Sequence, residues 1–489
     1  MNQPSVKKNY FFRLFYDVLT LITPFITTPY ISRVLGADGV GIHSYTSSVI
    51  MYFSLFAALG TVSYGAREIA RHRDDRAEAS KLFWEIELLT VLTSAVCLVL
   101  WIGFIAFSTE YRYYYLALTP MLLATTADIS WFFMGHEQIK HTVTGNSICK
   151  LLGIAVLFLL VREKDDLLMY CVISSCVQFA GNLTMWIHLP KMLDHVDFGT
   201  LSVRRHLKET LIYFIPTVAT SVYTVLDKTL IGLITKNTYE NGYYEQATRV
   251  INIVKSLVFT AVNMVMEARI SYLFVEKKYE EIKQRITDSM DFILLAGFGC
   301  AFGISGIASV FVPLFFGAGY EPVVTLLYMM APLIVIIGVS NCLGSQYYTP
   351  SGKRKQSAGY IVAGSVVNIC LNLVLIPGFG AGGATIASII AELTIAVLYL
   401  RSCDGYMTAG VLWSRSWKRL IAGSVMLVAV IATGRYLKMA AVTVVVAQIA
   451  VGVGIYGIIL LLLKDSMLKN ILDMGIGLIR KGDRKDAAD

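Results

Sequence analysis

Apolar residues run along this chain in long blocks of about 20 or more, separated by short polar connections, from the first dozen residues almost to the end. That length matches what an α-helix needs to cross a hydrocarbon core, at about 20 residues per crossing. Strands of a closed barrel would read as alternating segments of about 10 residues, which the chain lacks. The pattern predicts an all-α polytopic membrane protein with fourteen spans, at 10–32, 40–65, 82–107, 113–134, 145–161, 167–187, 210–233, 247–273, 290–315, 322–348, 357–377, 380–401, 418–436 and 440–463.

The longest internal connection, 188–209, separates six spans from eight and has room for a short amphipathic helix at the membrane surface. It divides the chain into an N-terminal lobe at 1–209, a C-terminal lobe at 210–401, and two further spans with a tail at 402–489. The lobes read as weak repeats. Pro24, Arg33 and the helix opening "GVGIHSYTSSV" in the first answer to Pro216, Lys228 and "ENGYYEQATRV" in the second. Paired halves with kinked helices at matching places are the arrangement of an alternating-access transporter.

Composition agrees with the pattern: 56% of the 489 residues are hydrophobic, 16% are charged, and the mean hydropathy is +0.62. The net charge of +8 needs no nucleic acid to explain it. With both termini cytoplasmic, Arg67, Arg71, Arg73, Arg76, Lys191, Arg204, Arg205, Lys353, Arg354, Lys355, Arg415 and Arg419 all fall on the inner side, as the positive-inside rule expects. The basic start leads into an apolar stretch too long for a signal peptide, so span one reads as retained. Eight scattered cysteines and seven histidines form no CxxC, HExxH or other metal pattern, and no GxxxxGK[ST] phosphate loop is present. No cofactor, metal or built-in ATP hydrolysis is expected.

Charged and polar residues inside spans mark functional positions. Lys228 sits deep in span seven, and Asp227 beside it points about 100° away, so the two do not simply neutralise each other. On span eight Arg249, Asn252, Ser256, Thr260, Asn263 and Glu267 recur at steps of three or four, which makes one polar stripe. Two readings of the stripe stand: a cavity lining, or a polar seam packed between helices. Lys255 lies off it, either edging the cavity or pairing with an acid on a neighbour. Asp17 and Asp128 are readable as coupling carboxylates that take up a proton or sodium ion, or as structural acids capped by hydroxyls. Glu392 is expected at a membrane interface.

The stretch "ITPFITTPYISRVLGADGVGIHSYTSSVIMYFSLFAALGTVSYGAREIARHRDD", with "DISWFFMGHEQIK", "LDKTLIG", "NGYYEQATRV" and "IPGFGAGGATIASIIAE", resembles the oligosaccharide repeat-unit flippases of the multidrug/oligosaccharidyl-lipid/polysaccharide exporter superfamily. The segment "VMEARIS", 265–271, departs from that group, which often carries a proline before the arginine, and this bears on any kink in span eight.

The resemblance implies a fourteen-helix, two-lobe fold in a bacterial inner membrane. The implied task is moving an undecaprenyl-diphosphate-linked oligosaccharide between leaflets for surface polysaccharide synthesis, alongside glycan polymerase machinery. On that reading Arg33, Lys228, Arg249 and Lys255 form a cationic cavity for the diphosphate. Asn252, Ser256, Thr260 and Asn263 face the sugars, and Asp17, Asp128 and Asp227 balance charge or couple transport to a proton or sodium gradient.

Three rivals remain. A peptidoglycan-precursor flippase would use similar chemistry. A multidrug exporter would want an acidic cavity, against Lys228 and Arg249. A membrane-embedded polymerase or ligase would want a sizeable outer loop. The charge asymmetry makes a testable prediction: single cysteines at Asn237 and Gly380 react with an impermeant thiol reagent from outside and one at Gly352 does not. Labelling at Gly352 without labelling at Asn237 reverses the topology.

Overall fold

The computed structural model describes residues 6–473, apart from the side chains of 6–13, 17, 215–216, 219–220, 222–224, 260–261, 264–265 and 268. Among the described residues there are helices and no strands. The helices are α1 (Val6–Ala58), α2 (Thr61–Arg71), α3 (Arg76–Phe107), α4 (Arg112–Thr126), α5 (Ser130–Gly135), α6 (Ile139–Leu160), α7 (Leu167–Trp186), α8 (Arg204–Thr235), α9 (Thr238–Val275), α10 (Tyr279–Phe316), α11 (Glu321–Leu343), α12 (Arg354–Arg401), α13 (Ala409–Tyr436) and α14 (Ala441–Leu462).

By length and apolar content, ten helices among the described residues can cross a membrane. Two of them, Leu14–Arg71 and Arg354–Arg401, each run over two of the expected intervals. Both are broken at a glycine. Gly36 (φ 68°, ψ 178°) bends α1, and Gly380 (φ 53°, ψ −132°) bends α12. Side chains other than glycine's are strained in these regions, so the break is written into the residue type. Proline does not break α1, where Pro24 and Pro29 sit inside the helix and the hydroxyls of Thr23 and Thr27 donate to the carbonyls of Leu19 and Thr23. The α9 helix runs unbroken through the segment where a proline is missing.

Helix starts follow ordinary capping chemistry. Asp75 accepts from the Glu78 N–H at 3.0 Å to open α3, and Thr408 caps α13. The 188–209 connection holds no amphipathic α-helix. It makes two single 3₁₀ turns, Leu189–Lys191 and Phe198–Thr200, the first opened by Pro190. It is pinned instead by Arg76, which donates to the carbonyls of Lys191 and Leu193, and by Ser80, whose hydroxyl accepts from the Asp194 N–H.

The chain forms two compact units, 1–242 and 243–489. In the first, two aromatic clusters hold the helices. Trp101 stacks on Phe104, meets Phe53 and Tyr115 edge-on, and donates to Thr119 at 3.1 Å. Phe83 stacks on Trp131 and meets Phe132 and Trp186 edge-on. In the second unit Ile286, Ile293, Val339, Tyr347, Tyr348 and Tyr399 pack the bundle of α9 to α12. Since lipid is as apolar as these side chains, close packing and interhelical hydrogen bonds hold such a bundle more than burial from water does.

A tight backbone approach in the first unit is between α1 and the first turn of α9. A Cβ built on Gly41 would stand 1.7 Å from the Thr238 carbonyl oxygen, and one on Gly242 would stand 2.0 Å from that of Ala37. Both clashes are with backbone, which has no rotamer to change. Gly41→Val is therefore expected to lower stability by about 1–3 kcal/mol or more, as overpacking does. Gly103→Ala, at an open position on α3, should be neutral. Thermal unfolding of the detergent-solubilised protein measures both; equal melting of Gly41→Val and wild type would refute this packing.

Candidate functional site

The residues singled out by the sequence fall in both units. In the first, α8 lies along α1 and joins it through hydroxyls: Ser48 and Thr229 are 2.8 Å apart, and Thr229 donates to the Tyr52 hydroxyl at 3.3 Å. Asp227 on this stretch is buried, and its charge reaches Tyr52. Lys228, one residue on, is half-buried. The acid is the more deeply buried of the adjacent pair. Arg33 is exposed just before the Gly36 break. Asp17 and Thr260 have side chains outside the described residues.

Asp128 lies between α4 and α5, where the chain leaves helical geometry, and it accepts from the Ser130 N–H at 3.0 Å.

In the second unit the α9 stripe is not uniform. Arg249 is half-buried and its Nε donates to Glu245 at 2.7 Å, one turn earlier. Asn252 and Ser256 are exposed. Asn263 is instead drawn into a polar seam: its amide donates to Asn341 at 2.5 Å, while its oxygen accepts from Ser345 at 3.1 Å and from Gln346 at 3.3 Å. The partners belong to α11 and to a π-helical turn, Gly344–Tyr348, that continues it. Such turns recur at functional places because the wider helix presents side chains that a regular α-helix would not. Along α9 the stripe is therefore exposed at Asn252 and Ser256 and enters a packed polar seam at Asn263.

Lys255 is half-buried, and the acid that acts on it is Glu392. Glu392 is buried on α12.

Sequence reasoning missed three polar networks. In the first, Glu85 on α3 is fully buried and accepts from Arg205 Nε at 2.9 Å and the Ser202 N–H at 2.7 Å, while the His206 ring lies 2.7 Å away. His206 also meets the Tyr64 hydroxyl at 2.7 Å. This network fastens the start of α8 to α2 and α3. The second is buried Arg419, set between Asp291 and Asp465 at 3.2 Å each, with Arg415 also on Asp291. In the third, Lys150 on α6 donates to the Thr20 hydroxyl at 3.2 Å. The available signal was "WEIEL", with two acids at the head of an apolar span, which no solvated-loop reading explains.

With ten membrane-length helices among the described residues and no strands there, this is an all-α polytopic membrane protein. It belongs to the polysaccharide biosynthesis protein family, whose sequence profile matches residues 6–271. Two relatives, each named "Putative O-antigen transporter", come from Escherichia coli (strain K12) and Shigella dysenteriae. The first is 23% identical over 82% of this chain and 97% of its own length, and the second is 23% identical over 81% and 100%. Among solved structures, the lipid II flippase MurJ in an inward closed conformation aligns over 91% of this chain and 98% of its own, with a TM-score of 0.72 at 16% identity. An inward-facing multidrug resistance MATE family transporter aligns over 84% and 98%, with a TM-score of 0.58 at 11% identity. These two likenesses bear on the fold.

The Glu85 network makes a prediction. Removing the donors from a buried carboxylate leaves an uncompensated charge, which costs about 3–5 kcal/mol. Arg205→Ala combined with His206→Ala should therefore destabilise the protein strongly, and adding Glu85→Leu should recover part of the loss. Chemical or thermal unfolding of the double variant, the triple variant and Glu85→Leu alone reads this; additive losses in the triple variant would show that the groups are not coupled.

Proposed function

We propose that this protein is a flippase that carries an undecaprenyl-diphosphate-linked oligosaccharide from the inner to the outer leaflet of a bacterial cytoplasmic membrane, as a transporter without catalytic activity. The observation that carries the reading is membership of the polysaccharide biosynthesis family together with relatives named as O-antigen transporters that match over nearly their whole length. We assign fourteen crossings, counting each glycine-broken helix twice and adding α8 and α9, and place both termini on the cytoplasmic side by the distribution of basic residues. Alternating access moves the head group.

The chemistry of the substrate sets what the protein must supply. A diphosphate entering a poorly hydrated site loses hydration, and cations have to offset that loss. Arg33, Lys228, Arg249 and Lys255 are the cations assigned to it. Arg249 comes with an acid, Glu245, so the anion competes for a cation that is already held in place. Asn252 and Ser256 offer amide and hydroxyl partners for sugars. Nothing in this scheme consumes nucleotide, and the driving force is an ion gradient.

Two measurements test it. Purified protein in liposomes should translocate lipid-linked oligosaccharide without ATP, and deleting the protein should leave that lipid on the inner leaflet; strict ATP dependence in the purified system rules the reading out. For the cations, a unit pair about 4 Å apart at an effective dielectric near 20 interacts by about 4 kcal/mol. Lys228→Arg should keep partial transport, Lys228→Ala little and Lys228→Glu none, at unchanged abundance, with Arg249 following the same order. Normal transport by both alanine variants would make these residues architectural.

A further inference from the structure

Where the first turns of α13 meet the residues that follow α14, Ser414, Arg415, Lys418, Arg419, Asp465 and Ser466 line a cavity of about 170 Å³. One water needs about 10–15 Å³ of such space, so a group the size of a phosphate has room. Arg415, Lys418 and Arg419 follow steps of three and four, which puts all three cations on one face of α13. Ser414 and Ser466 are exposed, so the cavity opens to the surface beside them.

The two acids of this cluster are buried and already engaged. Asp291 on α10 accepts from Arg419 with one oxygen and from Arg415 with the other. Asp465 accepts from Arg419 with both oxygens, and from the Met467 and Leu468 N–H groups at 3.0 and 3.1 Å. The cations are less fully used. Arg419 is buried and held by both acids, but half-buried Arg415 spends only Nη1 on Asp291 and keeps the other N–H groups of its guanidinium. Half-buried Lys418 meets no acid among the described residues and donates to the Lys464 carbonyl at 3.1 Å. Three cations thus stand against two carboxylates, and the wall of the cavity carries positive charge in excess.

The same turns of α13 lie at a membrane boundary. Trp413 and Trp417 are exposed, and the Lys418 ammonium lies 5.8 Å from the centre of the Trp417 ring. Exposed indole rings of this kind sit at head-group depth. Leu420, Ile421, Val425 and Val428 follow as exposed apolar side chains, facing acyl chains. The cations therefore stand at the depth of lipid phosphates, which favours a lipid over a free anion, and basic pockets between helices on the cytoplasmic side take phosphate head groups.

We propose that this cavity binds the phosphate of an anionic glycerophospholipid. Arg415 and Lys418 donate to its oxygens, and Arg419, locked between its two acids, supplies fixed charge behind them. The lipid ties α13 and the end of α14 to one leaflet, the cytoplasmic one in the topology assigned above. The site does not depend on the flippase reading.

Native mass spectrometry of the purified full-length protein in detergent, titrated with phosphatidylglycerol or phosphatidylcholine, tests this. Wild type should retain phosphatidylglycerol in preference to phosphatidylcholine. Arg415→Gln and Lys418→Gln should each weaken that retention about fivefold, and Arg415→Lys should keep most of it. Lys355→Gln, at an exposed position outside the cavity, should bind as wild type does. Arg415→Gln also removes a bond to Asp291, so where it unfolds the protein Lys418→Gln decides alone, since it gives up only a bond to a backbone carbonyl. Equal retention of the two lipids by wild type, or undiminished phosphatidylglycerol retention by Lys418→Gln, overturns the site. Full displacement of phosphatidylglycerol by inorganic phosphate at the lipid's own concentration would show that the cavity takes a free anion, and would overturn the lipid assignment.

Discussion

A charge taken out of water inside a membrane protein has to be met by another polar group, and the arrangement of this chain depends on how each such charge is met. Glu85 is met by Arg205, His206 and a backbone N–H. Arg419 is met by two aspartates. Each arrangement ties together helices that are far apart in sequence, because the partner of a buried charge has to come from a neighbouring segment. The Glu85 network anchors the first turn of α8, and through it the helix that carries Asp227 and Lys228. The Arg419 network joins α10, α13 and the residues after α14.

The groups assigned to transport are less deeply buried than these anchors: Lys228, Arg249 and Lys255 are half-buried, and Asn252 and Ser256 are exposed. A fully buried ion pair would be a poor binding group, because a ligand would first have to break it.

Backbone features place these groups. The glycine breaks at Gly36 and Gly380 let a continuous run of helix reverse or bend without a loop, which would expose backbone polar groups to lipid. The π-helical turn at Gly344–Tyr348 changes the facing of Ser345 and Gln346 so that both reach Asn263. Neither device adds charge, yet both decide which polar side chains meet.

The apolar blocks alone determined that this is an all-α membrane protein, because block length and the requirement to satisfy every backbone group leave helices as the solution. The residue types within the blocks also marked Lys228, Arg249 and Lys255 as unusual. Tertiary structure decided what those charges and polar groups meet. That Glu245 faces Arg249 follows from helical spacing and was legible. That the charge of Glu392 acts on Lys255 and that Asn263 enters a seam with α11 depends on the packing of segments some 80 to 140 residues apart. One sequence records a polar residue in an apolar span, and the distance-dependent energy that selects its partner is defined only once the helices are packed.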